Sequence, residues 1–593
     1  MNTTDVRSTL RSRSTLVWPQ RPRLALCAAL FAAAAGLGCG LVGGGDNPKG
    51  TDLAANGTPS SANGTAARGP YGAGSAAAPA APGRASDPGA SVGAAGSSSL
   101  PEAGNSSDPG LAARPARGGA AGGAAVNNNN NRLRCQDTEC EAVGGLCQGT
   151  TCVFLCDRDA NECNDRAVEC PDDVDCRVEC VDNDVCSQEI IGPNRANLQV
   201  QCQDNNTCAQ LINCAGSDSC DVTCSGDDSC SGQFSVENGN RDVTVTCSGS
   251  RTCTGLLECG PAGNCNINCS GNDSCTGALK LGAQAARLAC AGDGSCTQAI
   301  TCEENNGTCN IQCQGIDSCA QAITCGVQAQ VRSCDITCTG NNSCAADLTC
   351  DAETCTTKCD NNSCSGNITC GVANGNTTTC NTTCGSDSCD GNLKCNASDG
   401  NCAFICNEVG ACRGAVDCAS DNGTCNINCG ADNTCGAAVT CNSRANCTIG
   451  CANDGAYLGA LSCPSDNGTC NINCGNNVVG SCQAAVTCNS DQACILTCNA
   501  DQGCLGAVSC TSNANCTIAC GGDGSCVNTV ACDSNAACAV DCNGVGACNN
   551  GQAISCVADD RCDVDCAANN ATCIQNVACT SRAVANDCPV VAG

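Results

Sequence analysis

Cysteine is the residue type in this chain with the numbers and spacing to do chemistry: 75 of 593 residues, and no histidine beside them. A cysteine can hold a metal, serve as a thiolate nucleophile, or bond another cysteine. Zinc sites pair cysteines two to four residues apart with further Cys or His ligands, yet this chain has no His and no Cys-x2-Cys. Disulfides are therefore the expected use, and disulfides at this density mark a chain made for an oxidising compartment.

Two further sets of side chains have chemical potential. Asp228, Asp273, Asp293, Asp317, Asp387 and Asp523 each stand two or three residues before a cysteine in a polar segment, and stacked carboxylates suit Ca2+. The competing reading is a turn residue, because the Asp side chain bonds the local backbone. Threonines recur in Ala-x-Thr units at Thr301, Thr324, Thr440 and Thr487, an array that could face ice, mineral or glycan. Lys394 and Asp417 interrupt it, and strand propensity alone accounts for the threonines. Catalysis has little to work with: aromatic residues are 1%, Tyr numbers 2, and no carboxylate pair sits in a pocket-forming insertion. A carbohydrate-active β-helix enzyme is the remote reading, and no cofactor or metal is expected.

The elements that must position the cysteines follow from their beat. From Cys176 to Cys566 a Cys-x3-Cys pair, or its degenerate equivalent, returns every 21 to 25 residues, eighteen times. With the pair that begins at Cys152, sixteen are intact, and their middle residue is apolar in fourteen, as in Ile267, Ile311, Ile472 and Val564. Polar neighbours, as in Asn471-Ile472-Asn473, complete a period-two alternation that puts Cys, apolar and Cys on one strand face. A second segment, Cys-x-x-Ala-Val/Ile-x-Cys, reads as a second strand at Cys319 to Cys325, Cys435 to Cys441 and Cys504 to Cys510. Clusters of Asn, Asp, Gly and Ser between them are composed as turns. Strand, turn, strand, turn at fixed period predicts an all-β, parallel, two-sheeted β-solenoid of about 22 residues per coil, stapled by disulfides. Eighteen coils would stack to about 80 Å.

Four residues of strand span about 13 Å, too far for a disulfide, so the bridges must cross turns or coils. Cysteines that vanish do so in pairs. Near Gly192, Val236 and Leu281 the closing cysteine is missing, and the next opening one is missing too, at Leu198, Val243 and Ala286. Joint loss across a turn implies turn-spanning pairs, among them Cys313 with Cys319, Cys498 with Cys504, Cys510 with Cys516, and Cys520 with Cys526. The rule gives 36 pairs and leaves over Cys451, whose partner position holds Tyr457. An inward-pointing, inert thiol and an intermolecular bridge are the two readings of that residue.

The pattern resembles the insect cysteine-rich antifreeze solenoids and the cysteine-rich repeat lipoproteins of bacterial surfaces, over residues 135 to 588 and in architecture rather than activity. Upstream, Arg7 to Arg23 precede the apolar run Leu24 to Leu37, the layout of a secretory signal over residues 1–38. Gly36-Leu37-Gly38-Cys39 resembles a bacterial lipobox, with Gly36 where that family has Leu; the resemblance implies lipidation of Cys39. Residues 39–131 hold the anchor cysteine and an Ala/Gly/Ser/Pro linker, with a coil end-to-end distance of roughly 50 Å. Residues 132–175 read as an N-terminal cysteine-rich cap and first coils, and 176–588 as the regular solenoid. A net charge of -31 disfavours anionic membrane surfaces and nucleic acid as partners, and no nucleic acid is expected. The sequence thus predicts an exported, lipid-tethered rod at a cell surface or outer membrane, or a secreted one if the lipid is absent, structural or adhesive and without catalytic activity. Its membrane contact would be through the lipid only, and a glycan or other cell-surface ligand is the partner it allows. A solenoid binding glycan, divalent cation or ice is the alternative.

Overall fold

A computed structural model describes residues 135–592 apart from 136, 160–161, 237–241, 304–306, 327–330, 372–376, 452–458, 476–478, 550, 567–570 and 582–589. The segments expected to be a secretory leader and a linker, together with Cys39 and Tyr457, lie outside the described residues.

The described chain is a parallel two-sheeted β-solenoid of about 17 turns, with about 23 residues per turn. That period lies within the 21 to 25 residues at which the cysteine pairs recur along the sequence. The first sheet holds 21 strands. Its opening strand, Leu146–Gln148, runs antiparallel to Thr151–Cys156; from there each strand pairs in parallel with its equivalent one coil on. The second sheet runs from Val168–Glu169 to Val577–Ser581, also in parallel.

Alternation sets the register. In Asp175–Cys180 and Ala537–Cys542 every second residue is buried, and these are the Cys, apolar and Cys positions. A shift of one residue would turn the whole inward set to solvent, so all coils lock alike. Cys309, Cys334, Cys355, Cys380 and Cys402 consequently form one row, and Ile267, Leu288, Ile311 and Ile336 another. Where the apolar row weakens to Thr357 and Thr382, the next position carries Phe404, the bulkiest fully buried side chain, in register beside Thr382. Large beside small keeps the interior filled.

The three missing bridges are filled by apolar residues in the same rows. Val236 and Leu281 flank Cys259, and Val243 and Ala286 flank Cys265, all nearly fully buried. At the third, a Cβ added to Gly192 would stand 3.0 Å from Leu198 Cδ2, so the absent side chain makes room for the leucine.

The turn after each long strand brings successive coils into backbone contact. Gly226, Gly249, Gly271, Gly292 and Gly315 stack there, and a Cβ on Gly271 would strike the carbonyl oxygen of Gly249. Only glycine permits that approach. The second sheet changes character midway. Its strands are two or three residues long through Ile368–Cys370 and five residues long from Leu393–Ala397 onward.

The N-terminal end departs from the repeat. The helix Asp137–Ala142 and the antiparallel hairpin cover the first coil, and the bridges there interlace, Cys135 with Cys147 and Cys140 with Cys152. Pairing of sequence neighbours across a turn, read from the repeats, does not apply here. Cys140 sits on a helix, and no coil lies below it to fix a turn.

Candidate functional site

The cysteines come first. Among the described residues, Cys313 is bonded to Cys319, Cys498 to Cys504, Cys510 to Cys516, and Cys520 to Cys526, with Cα atoms 6.0, 5.9, 6.1 and 6.0 Å apart. Apart from the cap, the bridges join a strand end to the next segment across one turn, five to ten residues on. Each closes a loop of about six residues and removes about 2 kcal/mol of unfolded-chain entropy. Cys451 is 1% exposed and lies in register between Cys429 and Cys474. Its Sγ stands 3.3 Å from Sγ of Cys482, which is bonded to Cys474.

The acidic residues lie in turns of separate coils, and Asp228, Asp293, Asp317, Asp387 and Asp523 each bond a group one coil away. Asp228, Asp273, Asp317 and Asp387 have φ between 49° and 56°, the left-handed region that Asp and Asn tolerate best among residues with a side chain. Glycine takes the same place at Gly294, Gly410 and Gly524. One residue earlier, an Asp or Asn side chain accepts from the backbone N–H of its counterpart a coil away. Asn205 Oδ1 accepts from Asp227 N at 2.9 Å, Asp227 Oδ1 from Ser250 N at 3.0 Å, and Asp293 Oδ1 from Ile316 N at 2.9 Å. Asp501 and Asp523 continue it, to Asp523 N at 3.0 Å and Val545 N at 2.9 Å.

Cross-coil cations neutralise several carboxylates. Arg251 donates twice to Asp228, at 2.7 and 2.6 Å, and Arg195 to Asp173 at 2.9 Å; Arg413 reaches Asp387 and Asp390. The hydrogen bond from Arg251 holds the Asp228 carboxyl below the usual range, and the same pairing pushes the guanidinium up. Near the C-terminal end two carboxylates face each other without such help. Asp541 and Asp565 are register neighbours, and burial, then the charge of Asp565, pushes the Asp541 carboxyl up.

On the outer side of the second sheet Thr301, Thr324, Thr349 and Thr369 form an unbroken row across four coils, followed in register by Lys394, Asp417 and Thr440. Beside it runs an amide ladder: Asp347 Oδ1 accepts from Asn367 N at 2.9 Å, Asn367 Oδ1 from Asn392 N at 3.0 Å, and Asn392 Oδ1 from Ala415 N at 3.0 Å. Next to the row, over Gly260 and Gly282, lies an open groove of about 400 Å³ bordered by Glu258, Lys280, Thr301 and Glu303. Glu258 and Lys280 stand 3.9 Å apart with both side chains well solvated, an ion pair of little energetic weight.

Two buried hydroxyl series escaped the sequence reading. Thr207, Ser229, Thr252, Ser318, Ser363 and Ser388 precede the turn cysteines and are almost fully buried. Their hydroxyls donate to the carbonyl three residues back, at 2.8, 2.7, 3.0, 2.8, 2.6 and 2.7 Å. The second series is Ser420, Ser443, Ser465, Ser490, Ser512 and Ser534, two residues after a cysteine, where the second sheet has widened. Each donates to a carbonyl one coil below and accepts an N–H of its own turn, as Ser443 does with Gly423 O at 2.6 Å and Ala445 N at 3.1 Å. The signal was present as Cys-x-Ser recurring at one period in the C-terminal half.

Comparison of the chain with protein-family models, with characterised proteins and with solved structures finds no match. Disulfides of this density belong to an exported chain. No helix of the described residues is long and apolar enough to cross a membrane.

Proposed function

We propose that the protein is a lipid-tethered, surface-displayed rod with a structural or adhesive role and no catalytic activity. The observation that carries the reading is a stack of coils in which disulfides close most of the described turns and serine and aspartate side chains hold one coil to the next. Such a stack gains stiffness and protease resistance by repetition rather than by a central core. The leader, Cys39 and the linker supply export, anchor and spacing from a surface, which are the parts a displayed rod needs. The absence of histidine and the use of turn carboxylates such as Asp227, Asp228, Asp293 and Asp523 in cross-coil hydrogen bonds support a non-enzymatic role. Metabolic labelling with palmitate tests the anchor: the wild-type chain should take up label and C39A should not. Equal labelling of both, or of neither, refutes the tether.

A ligand-binding face is the second reading, favoured by the four threonines in register beside an amide ladder. Rows at the strand spacing of about 4.8 Å can match an ordered glycan or ice surface. Glycan-array binding, thermal hysteresis and Ca2+ calorimetry, each compared between wild type and T324E, distinguish the ligand classes.

A further inference from the structure

Asn-Gly is the dipeptide most prone to spontaneous deamidation, because an unhindered glycine nitrogen can attack the asparagine side chain. The attack joins Gly N to Asn Cγ and expels ammonia; water then opens the succinimide to aspartate or isoaspartate. This chain places Asn422-Gly423 and Asn467-Gly468 at equivalent turns of the second sheet, each inside Cys-x-Ser-Asp-Asn-Gly-Thr-Cys. The glycine there is demanded by the stack, since a Cβ on Gly423 would strike Gly400 O and one on Gly468 would strike Ala445 O. A chemical weakness is thus built into the close approach of the coils.

We propose that the buried serines of these turns lock Asn422 and Asn467 against succinimide formation. Ser420 is 5% exposed and Ser465 is 3% exposed. Each hydroxyl has a single proton, and it is committed downward: Ser420 Oγ donates to Gly400 O at 2.7 Å, and Ser465 Oγ to Ser443 O at 2.6 Å. The oxygen lone pairs are thereby aimed at the glycine amide, and Gly423 N donates to Ser420 Oγ at 2.9 Å, Gly468 N to Ser465 Oγ at 3.1 Å. A nitrogen must lose that proton and turn toward Cγ to react, and the bond opposes both movements. At the first site the electrophile is held as well, for Asn422 Nδ2 donates to Asp399 Oδ1 at 2.5 Å. The same serines therefore join coils and preserve the covalent chain, a property suited to a long-lived exported protein but independent of how it is anchored.

The test is peptide mapping of the disulfide-intact protein during prolonged incubation in warm, mildly alkaline buffer, scoring deamidated Asn422 and Asn467 by mass. Reduced and denatured chain gives the unprotected rate at both positions. Native wild type should be far slower than that reference at both. S420A should deamidate about fivefold faster than wild type at Asn422, the factor that loss of one ordinary hydrogen bond amounts to, and unchanged at Asn467. S420T, which keeps a hydroxyl, should remain within twofold of wild type. Unchanged Asn422 in S420A overturns the proposal. So does equal acceleration at Asn467, or in S420T, because either reports loosening of the stack rather than loss of one acceptor.

Discussion

Removal of one bridge, in a coil whose neighbours already lack it, separates the energy of the disulfide from that of the space it fills. Cys259 and Cys265 are bonded, and their rows carry Val236 and Leu281, and Val243 and Ala286, on either side. The loop they close spans six residues, so breaking the bond restores about 2 kcal/mol of entropy to the unfolded chain. Either single substitution, C259V or C265V, breaks it, and should cost about 2 kcal/mol. The double C259V/C265V breaks the same bond once and adds valine methyls that the flanking valine and leucine can pack, at roughly 0.8 kcal/mol per added methylene-sized group. It should cost about 1 to 2 kcal/mol, against about 4 for the sum of the singles, a coupling of at least 2 kcal/mol.

The assay is native-state hydrogen exchange on peptides spanning Leu257 to Cys275, because repeats open locally and a global midpoint averages over the stack. A loss of 2 kcal/mol lowers protection roughly thirtyfold. Protection should fall in that coil and its immediate neighbours only. Additive costs would refute the pairing logic on which the fold was read, and protection lost evenly along the chain would refute the one-dimensional picture of stability.

Glycine at the coil contact is sterically obligatory, so G271A, which drives Cβ into Gly249 O, should destabilise its coil by about 1 to 3 kcal/mol in the same exchange measurement. D501A deletes the acceptor for Asp523 N and should cost about 1 kcal/mol, whereas D501N, which keeps a carbonyl oxygen in place, should be near neutral. Asp228 titrates below the ordinary carboxyl range, so its pairing with Arg251 stabilises the fold at neutral pH, and that contribution disappears as pH falls through the lowered value. Carboxyl NMR on wild type and R251A should show the shift in the first only. Asp541 is the reverse case: its raised carboxyl means the folded state favours the proton. Stability is therefore greater in acid and declines as pH rises from the ordinary aspartate value through the raised one. D541N should abolish that decline and stabilise its coil by a few tenths of a kcal/mol at neutral pH, read from hydrogen exchange of that coil across pH.

The solenoid was legible because its strands obey a two-residue rule that cysteine and isoleucine announce without ambiguity. Joint loss at Gly192 and Leu198, Val236 and Val243, and Leu281 and Ala286 carried the pairing, since a bond has two ends and a sequence that loses one end gains nothing by keeping the other. The rule stopped at the cap, where Cys140 lies on a helix and interlaces with Cys135 across Cys147 and Cys152. The hydroxyl series were hidden by composition. Serine in a turn is ordinary, and nothing local distinguishes Ser443, which is fully buried and bonded to two backbone groups, from a solvated serine. Only its recurrence two residues after Cys418, Cys441, Cys463, Cys488, Cys510 and Cys532 marks it, and the same recurrence accompanies the widened second sheet.

The acidic composition finds its reason in the same stack. A turn that must repeat at the strand spacing leaves one N–H per coil pointing along the axis, with its natural acceptor a coil away. A short side chain ending in oxygen, Asn or Asp, fills that gap and also tolerates the left-handed backbone beside it. Asparagine would serve without charge, and Asn183, Asn205 and Asn361 do so. Aspartate at Asp227, Asp293, Asp501 and Asp523 makes the stronger bond and adds the charge that keeps a long array of open polar faces from associating. Arginine enters where two carboxylates would otherwise adjoin, as Arg251 does between Asp228 and Asp273. Replacing the four ladder aspartates together by asparagine should therefore leave exchange protection in their turns nearly intact while lowering the salt and protein concentrations at which the rods self-associate in light scattering. Loss of protection with unchanged solubility would show that the charge, and not the acceptor, holds the turns.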